Sequence, residues 1–439
     1  MFDRRLLSNF DWFLFLLLIV LCLGGVAAIY SASHGNESST QYWLRQLVWI
    51  GLGVGVGFVV LLFDFRTFGN LAYFLHGGTV FALALLLVGN FGGGSAVNRW
   101  FVIGGVAVQP SEFAKLTLVL AVAHYFRDSQ RVDNVGLRGI LWPTAILLAP
   151  FFLIVQQPDL GTALLLVLIF IPMVLLAGIR MRVVAALSLV GLVAIAALIG
   201  SFQLGFYQVD RKVVAQIKRA GADSAMVAGI DTLRGRRFHR ITALRKGVAA
   251  AANGGADERL LQAIAAKSFR PYISLLLRPY QQRRLITFVD PDRDPLGAGY
   301  HVIQSKVAIG SGRFWGKGYR ESTQGSLNFL PARHTDFLFS IFAEEWGFLG
   351  AMALIFLYLM LILRCLSVML QTHDRFSSFL ILGLVAIFTF QVLINIGMAV
   401  GILPVVGVPL PFLSYGGTSL LINMASVGVL LNIGASGEK

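Results

Sequence analysis

The sequence predicts an all-α polytopic membrane protein with ten transmembrane helices, cytoplasmic N- and C-termini, and a long extracytoplasmic loop between helices 7 and 8. Three observations support this fold class. The 439 residues are 56% hydrophobic and 13% charged, whereas soluble domains carry about 25% charged residues. Apolar runs of about 20 residues, long enough to cross the hydrocarbon core as helices, recur along the chain. Basic residues gather in the short loops of one side.

Each apolar run is predicted to be one membrane-spanning helix. The first is longer than the apolar region of a signal peptide, and more spans follow it, which favours an uncleaved anchor. The ten runs are Trp12–Ser31, Tyr42–Phe63, Gly69–Val88, Glu112–Phe126, Leu141–Val155, Leu160–Ile179, Val183–Gly200, Phe337–Leu363, Phe376–Val400 and Phe412–Leu431.

Lysine and arginine in the short loops predict the orientation. On one side, the short loops hold little beyond Arg45 and Arg99, so the positive-inside rule assigns this side to the exterior and both termini to the cytoplasm. The cytoplasmic loops collect Arg4, Arg5, Arg66, Arg127, Arg131, Arg138, Arg180, Arg182, Arg364 and Arg375.

We predict three parts along the chain. Residues 1–208 form helices 1–7, residues 209–336 form the extracytoplasmic loop, and residues 337–439 form helices 8–10. Within the loop, a basic helical insertion at about 209–277 is expected to contain an amphipathic surface helix near Leu260. The Gly- and Pro-rich segment 278–336 is expected to be irregular or made of short pieces and to form the site.

The basic insertion carries most of the net charge of +14. From Arg211 to Arg278 there are 14 Lys and Arg against 4 Asp and Glu. A basic patch often indicates nucleic-acid binding. Because this patch is tethered between membrane spans, we expect anionic lipid headgroups or a lipid-linked phosphate instead, and no nucleic acid.

Asp336 is the main candidate for a reaction centre. A carboxylate where a polar loop meets a membrane span is costly unless it has a function. The loop before it is rich in side chains that bind sugars and phosphates. The candidates there are Arg313, Lys317, Tyr319, Arg320, Thr323, Gln324, Asn328, Arg333 and His334.

Three further acidic or basic side chains lie inside apolar runs. Glu112 and Lys115 share one face of the fourth helix. They are either a functional pair on a substrate pathway or a structural pair that locks two helices together. Glu344, eight residues after Asp336, could join the same polar pocket.

Two other candidates have simple structural alternatives. Arg99 and Trp100 could contact a sugar and a phosphate, but composition alone favours an interfacial Trp beside a snorkelling Arg. His334 lies two residues before Asp336 in sequence, and we interpret it mainly as a turn-stabilising residue. Cys22 and Cys365 are expected to be small apolar residues without a disulfide or a metal.

A series of motifs in one order resembles the SEDS family of peptidoglycan polymerases over nearly all ten spans. Asn395–Met398 and Pro409–Pro411 are more similar to the elongation branch of that family than to the division branch. The motifs are Asn98–Trp100, Gln109–Glu112 with Lys115, Gln156–Thr162, Arg278–Gln281, Gly316–Gly318, Ser322–Gln324, Phe329–Pro331, His334–Phe337, Glu344–Glu345 with Gly347, Asn395–Met398, Leu403–Pro404, Pro409–Phe412 and Ser414–Gly417.

The resemblance implies a bacterial inner-membrane glycosyltransferase that polymerises lipid II into β-1,4 glycan strands on the outer face of the membrane during cell elongation. Asp336 matches the essential aspartate of the family and is expected to be the general base. Trp100 matches the outer-loop tryptophan of the family. The polar pair of its fourth span is matched by Glu112 and Lys115. Asp159 and Ser414 fall in family motifs and are assigned, with the loop residues and Glu344, to substrate binding.

The departing pyrophosphate of the lipid-linked glycan needs positive partners. Arg99, Lys317, Arg320 and Arg333 are candidates. A divalent cation, Mg²⁺ or Mn²⁺, is expected to assist, rather than a tightly bound protein-ligated metal. Implied partners are a class B penicillin-binding protein (a transpeptidase), membrane lipid, and elongation-complex proteins such as MreC and MreD.

Two departures from the family pattern are evident. Ala332 stands where family members usually have Glu, and the basic stretch is longer than the family pattern. The alternative functions are a lipid II transporter (flippase), a non-catalytic scaffold of the elongation complex, and a division polymerase of the same family. A transporter needs polar groups near the bilayer midplane, whereas this sequence concentrates them on the outer side.

Overall fold

Most of the described chain is helical. The computed structural model describes residues 10–33, 41–89, 99–104, 106–127, 137–178, 205–209, 224–233, 237–238, 241–251, 269–271, 299–326, 330 and 332–436, and the single residues Val214, Lys218, Arg284 and Phe288. The chain divides into two compact units, residues 1–180 with 284–439, and residues 181–283.

The elements follow in chain order. They are α1 (Trp12–Ala32), α2 (Gln41–Leu62), α3 (Phe65–Asn70), α4 (Ala72–Val88), β1 (Phe101–Ile103), β2 (Val106–Val108), α5 (Pro110–Arg127), α6 (Leu137–Gln156), α7 (Leu160–Leu176), β3 (Gly205–Gln208), α8 (Ser224–Asp231), β4 (Arg237–Phe238), α9 (Ile241–Ala251), β5 (Phe269–Pro271), α10 (Tyr300–Ser311), α11 (Thr323–Ser326), α12 (Leu338–Gln371), α13 (Arg375–Ala399) and α14 (Gly417–Ser436).

Six helices of the described chain, α1, α2, α6, α12, α13 and α14, are long and apolar enough to cross a membrane. The apolar helices α4 and α7 are shorter, at 17 residues each, and α5 carries Glu112, Lys115 and Arg127. Nine of the ten predicted runs coincide with helices of the described chain. The seventh, Val183–Gly200, lies outside the described residues.

Helix α13 lies at the centre of the larger unit, packed against α5, α7 and α12. Gly383 lets α13 approach α5, because a Cβ there would lie 2.4 Å from Cγ1 of Val119. Helices α2 and α14 also approach closely, and a Cβ at Gly428 would lie 2.7 Å from the carbonyl oxygen of Gly57. Small residues at helix contacts are the usual means of packing helices in membranes.

The described chain is mainly helical, and it also contains two small antiparallel sheets that the all-α prediction did not include. Strands β1 and β2 pair Phe101 with Val108 across a turn where Gly104 has φ +58°. The smaller unit contains a three-stranded sheet, β4-β3-β5, as well as α8 and α9. β-Branched and aromatic residues favour these strands. The amphipathic helix predicted near Leu260 lies outside the described residues.

Two boundaries differ from the predicted ones. The segment 278–336, predicted to be irregular or made of short pieces, contains the 12-residue helix α10. Helix α14 begins at Gly417 rather than Phe412, because residues 403–411, which include Pro404, Pro409 and Pro411, form a loop without helix. Proline lacks the N–H that a helix interior requires. This loop, residues 401–416, becomes one wall of the candidate site.

Candidate active site

Asp336 lies in a turn, residues 332–337, directly before α12. The backbone N–H groups of Thr335 and Phe337 both donate to the carbonyl oxygen of Ala332, at 3.3 and 3.2 Å. The N–H of Tyr415 donates to the carbonyl oxygen of His334 at 2.9 Å. The turn is therefore fixed both internally and against the loop that precedes α14.

The Asp336 carboxylate is half-buried. Burial raises its pKa above the ordinary value, and the negative charge of Asp159 acts in the same direction. The positive charge of Arg284 and a hydrogen bond from the Thr335 side chain act in the opposite direction, and the net shift is upward. An aspartate with a raised pKa is a better proton acceptor than an exposed one.

One wall beside Asp336 is the loop around Gly407. A Cβ at Gly407 would lie 3.4 Å from Oδ2 of Asp336, and the residue has φ +79°, a conformation that favours glycine. The same loop packs on the start of α7, since a Cβ at Gly161 would lie 2.6 Å from the carbonyl oxygen of Val406. The loop therefore lies between Asp336 and the start of α7.

Asp159 caps the N-terminus of α7. Its carboxylate accepts hydrogen bonds from the backbone N–H and the hydroxyl of Thr162, at 3.3 and 2.9 Å. It also accepts from Nε2 of Gln109 at 3.2 Å and from Oγ of Ser111 at 3.5 Å. Asp159 is buried and its oxygens are occupied, so its effect on Asp336 is electrostatic.

Arg99 organises the segment before Asp159. Its Nε donates to the carbonyl oxygen of Gln157 at 2.7 Å, and its NH2 donates to that of Pro158. These carbonyls follow the C-terminus of α6, where a cation is electrostatically favoured. Trp100 is adjacent and 37% exposed. The structure thus gives Arg99 a positioning role that the sequence did not predict.

Glu112 and Lys115 form a buried ion pair within α5, with 2.6 Å between Oε2 and Nζ. Both side chains are almost inaccessible to solvent. The pair joins two residues of one helix, and both sequence hypotheses for it, a substrate pathway and a structural pair between helices, stay predictions.

Glu344 is the centre of a second polar cluster. Its carboxylate accepts from Nζ of Lys317 at 2.5 Å, from Oγ of Ser322 at 2.5 Å and from Oγ1 of Thr323 at 2.7 Å. The backbone N–H groups of Thr323 and Gln324 and the hydroxyl of Ser311 complete the set. Three of the predicted substrate-binding residues therefore surround one fully buried carboxylate.

The loop that carries Lys317 is inserted into a break in α12. Gly347 has φ 65° and ψ −165°, which interrupts the helix. The N–H groups of Lys317 and Gly318 donate to the carbonyls of Glu344 and Glu345, both at 3.0 Å. In return, the N–H of Phe348 donates to the carbonyl oxygen of Arg313 at 2.8 Å, and the N–H of Leu349 donates to that of Phe314 at 3.1 Å. A helix that is broken at membrane depth leaves backbone N–H and C=O groups unpaired, and other backbone groups of the protein must then bond to them.

The remaining predicted residues have mainly structural contacts. Arg333 is buried and donates to the carbonyl oxygen of Gly325. The ring of His334 stacks on Tyr42 with 4.9 Å between centroids. Burial and the charge of Arg333 lower the pKa of His334 to about 4, so it is neutral at pH 7. This agrees with its interpretation as a turn-stabilising residue.

Arg320 and Ser414 lie in different surroundings. The guanidinium of Arg320 lies over the ring of Tyr30, 5.5 Å from the centroid, and the residue is exposed. Oγ of Ser414 accepts from the N–H of Leu410 at 3.2 Å, and its carbonyl oxygen accepts from Nε2 of Gln46. Ser414 therefore stabilises the turn before α14.

Among the residues that the structure describes, no set of side chains around Asp336 forms a protein-only cage for a divalent cation. The described ranges contain no group of three or more His, Cys, Asp or Glu suited to a metal, and the oxygens of Asp159 already accept N–H and O–H donors. Mg²⁺ in phosphate chemistry is usually held by few protein groups together with substrate phosphates. A cation that enters with a pyrophosphate remains compatible with these residues.

Comparisons with known proteins show what the chain is similar to. The family model described as Cell cycle protein, FTSW_RODA_SPOVE, matches residues 10–219 and 248–439. The chain is 34% identical to Peptidoglycan glycosyltransferase RodA of Treponema pallidum, over 98% of this chain and 99% of that one. It is 32% identical to Peptidoglycan glycosyltransferase MrdB of Escherichia coli K12, over 97% and 93%.

A solved structure is similar over the same extent. It is described as the structural coordination of polymerization and crosslinking by a peptidoglycan synthase complex, and the matching chain is 27% identical. The match covers 98% of this chain and 99% of that one, with a TM-score of 0.68.

Proposed function

The chain belongs to the FtsW, RodA and SpoVE family, and on this premise we propose that Asp336 is the general base of a glycosyl transfer that polymerises lipid II. The protein is a multi-pass peptidoglycan glycosyltransferase of the inner membrane. Its relatives RodA and MrdB carry the same activity in their names.

The chemistry requires one base on the acceptor side. An acceptor hydroxyl attacks the anomeric carbon of a glycan attached to pyrophosphate, and the hydroxyl loses its proton as the bond forms. Asp336 is half-buried and its pKa is raised by burial and by Asp159. One displacement inverts the α-linked donor to a β-1,4 bond, and the pyrophosphate leaves with its electron pair.

The leaving group needs cations that remain accessible. Arg313 and Arg320 are exposed on the loop inserted into α12, and Lys317 on the same loop pairs with the buried Glu344. Arg333 is buried and Arg99 is bonded to two carbonyls. We therefore assign the pyrophosphate to the Lys317 loop, with a divalent cation, Mg²⁺ or Mn²⁺, accompanying the phosphates.

The full topology is ten helices with cytoplasmic termini and the Asp336 turn outside. The Asp11–Arg364 pair, with 2.7 Å between Oδ2 and Nε, supports this arrangement. Beyond the break at Gly347, α12 rises by about 24 Å over the 16 residues from Phe348 to Arg364, most of the hydrocarbon thickness of about 30 Å. Asp336 and the start of α1 therefore belong to opposite faces.

Partners follow from the solved relative. A synthase complex that couples polymerization and crosslinking supports a class B penicillin-binding protein as the transpeptidase partner of this chain. Lipid II, membrane lipid and the elongation proteins MreC and MreD complete the proposed set. We assign the protein to elongation, with a division role as the alternative.

Purified protein with lipid II tests the base assignment. Asp336→Asn keeps the shape of the side chain but removes the base, and we expect a loss of about 10²–10⁴-fold in the glycan synthesis rate. Asp374→Asn is the matched control, because Asp374 caps α13 at the opposite face by accepting from Ser377. Equal rates for the Asp336 variant and the unmutated protein would reject the assignment.

Two further assays separate the alternatives. A flippase moves labelled lipid II across proteoliposomes without making glycan, and its movement does not depend on Asp336. A scaffold makes no glycan by itself, and its partner transpeptidase works equally well with Asp336→Asn. Glycan synthesis by the isolated chain excludes both as its sole function.

A further inference from the structure

Asn395 links the turn that carries Asp336 to the loop that covers it. Its Nδ2 donates to the carbonyl oxygen of Asp336 at 2.9 Å and to that of Val408 at 2.8 Å. The side chain is completely buried near the C-terminal end of α13. One amide group therefore fixes the separation of two segments that are about 70 residues apart in sequence.

The covering loop transmits any shift of Val408 to both carboxylates. Gly407, the preceding residue, lies against Oδ2 of Asp336, and Val406 lies against the start of α7. Asp159 caps that same helix. Loss of the bond from Asn395 to Val408 would therefore loosen the wall between the proposed base and its charged neighbour.

The oxygen of the same amide has an unsatisfied hydrogen-bonding capacity. Among the residues that the structure describes, Oδ1 of Asn395 has no hydrogen-bond partner. An unsatisfied buried acceptor costs about 1–3 kcal/mol, and native proteins rarely keep one without a function. The amide is therefore kept at a cost in stability, which agrees with a role for its Nδ2 group in holding the two carbonyls.

We propose that Asn395 is a positioning residue for the transfer reaction: through Nδ2 it holds the Asp336 turn against the covering loop. The proposal rests on Asp336 being the base. The proton lost from the acceptor hydroxyl passes to the Asp336 carboxylate.

This role has an electrostatic consequence. The groups that act on Asp336 are burial, Asp159 at the N-terminus of α7, the Thr335 hydroxyl and Arg284. Asn395→Ala loosens the covering loop and admits water, which lowers the pKa of Asp336 toward its ordinary value. Asn395→Asp places a second acid beside the base and raises that pKa.

Initial rates of glycan synthesis from lipid II, measured along the acidic limb of the pH profile, test the proposal. We expect Asn395→Ala to lower kcat by about 10²-fold, the cost of a misplacement of about 1 Å, with a smaller change in KM. The midpoint of the limb moves to lower pH in Asn395→Ala and to higher pH in Asn395→Asp.

Asn432→Ala is the matched control. Nδ2 of Asn432 donates to the carbonyls of Val60, Leu61 and Phe63, at 3.4, 3.1 and 2.8 Å, at the end of α2 away from Asp336. Asn432→Ala also removes hydrogen bonds from a side-chain amide to backbone carbonyls. It is therefore expected to lower the thermal stability without moving the pH profile. A shift of the profile in this control as well would overturn the proposal.

Failure of the proposal is distinguishable from failure of the base assignment. If Asp336→Asn is inactive while both Asn395 variants keep the unmutated kcat and pH profile, the positioning role alone is wrong. If Asp336→Asn is fully active, the base assignment is wrong. If neither Asn395 variant gives a folded, monodisperse protein, Asn395 serves the fold and the positioning role is rejected.

Discussion

Gly316→Ala is expected to disrupt the insertion of the Lys317 loop into α12. Gly316 has φ +82°, which costs about 1–2 kcal/mol for a residue with a Cβ. That Cβ would lie 2.0 Å from the carbonyl oxygen of Glu345 and 2.7 Å from the N–H nitrogen of Gly347. The contacts are with backbone on both sides, so a rotamer change cannot relieve them.

The magnitude follows from the bonds that separation would break. Loop and helix share four backbone hydrogen bonds, donated by Lys317, Gly318, Phe348 and Leu349. Each contributes about 0.5–1.5 kcal/mol net. Loss of two to four of them, added to the strain at Gly316, gives a destabilisation of about 2–8 kcal/mol.

Gly318→Ala is the control that separates backbone strain from steric clash. Gly318 has φ +109°, and the nearest atom to its Cβ would be Cγ of Glu321 at 3.6 Å. We expect a loss of about 1–2 kcal/mol from strain alone. Thermal unfolding of the detergent-solubilised variants provides the measurement. Equal shifts in Tm for the two alanine variants would refute the inserted-loop explanation.

Two further predictions concern buried charge. Burial and Arg333 lower the pKa of His334 from 6.5 to about 4, so its neutral form stabilises the protein above pH 6.5, and that stabilisation is lost as pH falls toward 4. His334→Phe, which keeps a ring against Tyr42, is expected to lose less stability on acidification, measured as Tm against pH. Glu112→Gln leaves Lys115 buried without its carboxylate, at a cost of about 3–5 kcal/mol. Glu112→Gln with Lys115→Met is expected to recover most of that loss in the same assay, and a double variant no more stable than Glu112→Gln would contradict the ion-pair reasoning.

Apolar length predicts most of the helices, because a span must satisfy its backbone internally. It does not predict the sites where a helix is interrupted. The break at Gly347 depends on a loop that begins more than 30 residues earlier, and a long-range exchange of hydrogen bonds has no local periodicity. The glycines at 316 and 318 were a visible signal of that close approach.

Residue type identified the polar side chains but not the way they group. Arg99, Lys317 and Arg333 were predicted as phosphate ligands because they are cations near a polar loop. In the structure, Arg99 and Arg333 bind backbone carbonyls and Lys317 pairs with Glu344. Asn395 and Gln109 were noted only within family motifs, because a single buried amide in an apolar helix gives little indication of its partner.

The number of hydrogen-bond donors around each carboxylate explains why Asp336, rather than Glu344 or Asp159, is suited to be the base. Glu344 receives six hydrogen bonds and Asp159 receives four. These donors occupy the carboxylate oxygens, which then have less capacity to accept from a substrate hydroxyl. For Asp336, the hydrogen bond found within the described residues comes from Thr335.

Two of these carboxylates stabilise the fold, and the third is placed for the reaction. Glu344 uses its donors to hold the Lys317 loop in the break of α12, and Asp159 uses its own to cap α7. Asp336 is instead held mainly through its backbone, by Asn395 and the Ala332 turn, and its carboxylate has the hydrogen bond from Thr335 and the nearby charge of Arg284. A base must be fixed in position without being stabilised as an anion, and bonds to the backbone rather than the side chain meet both requirements.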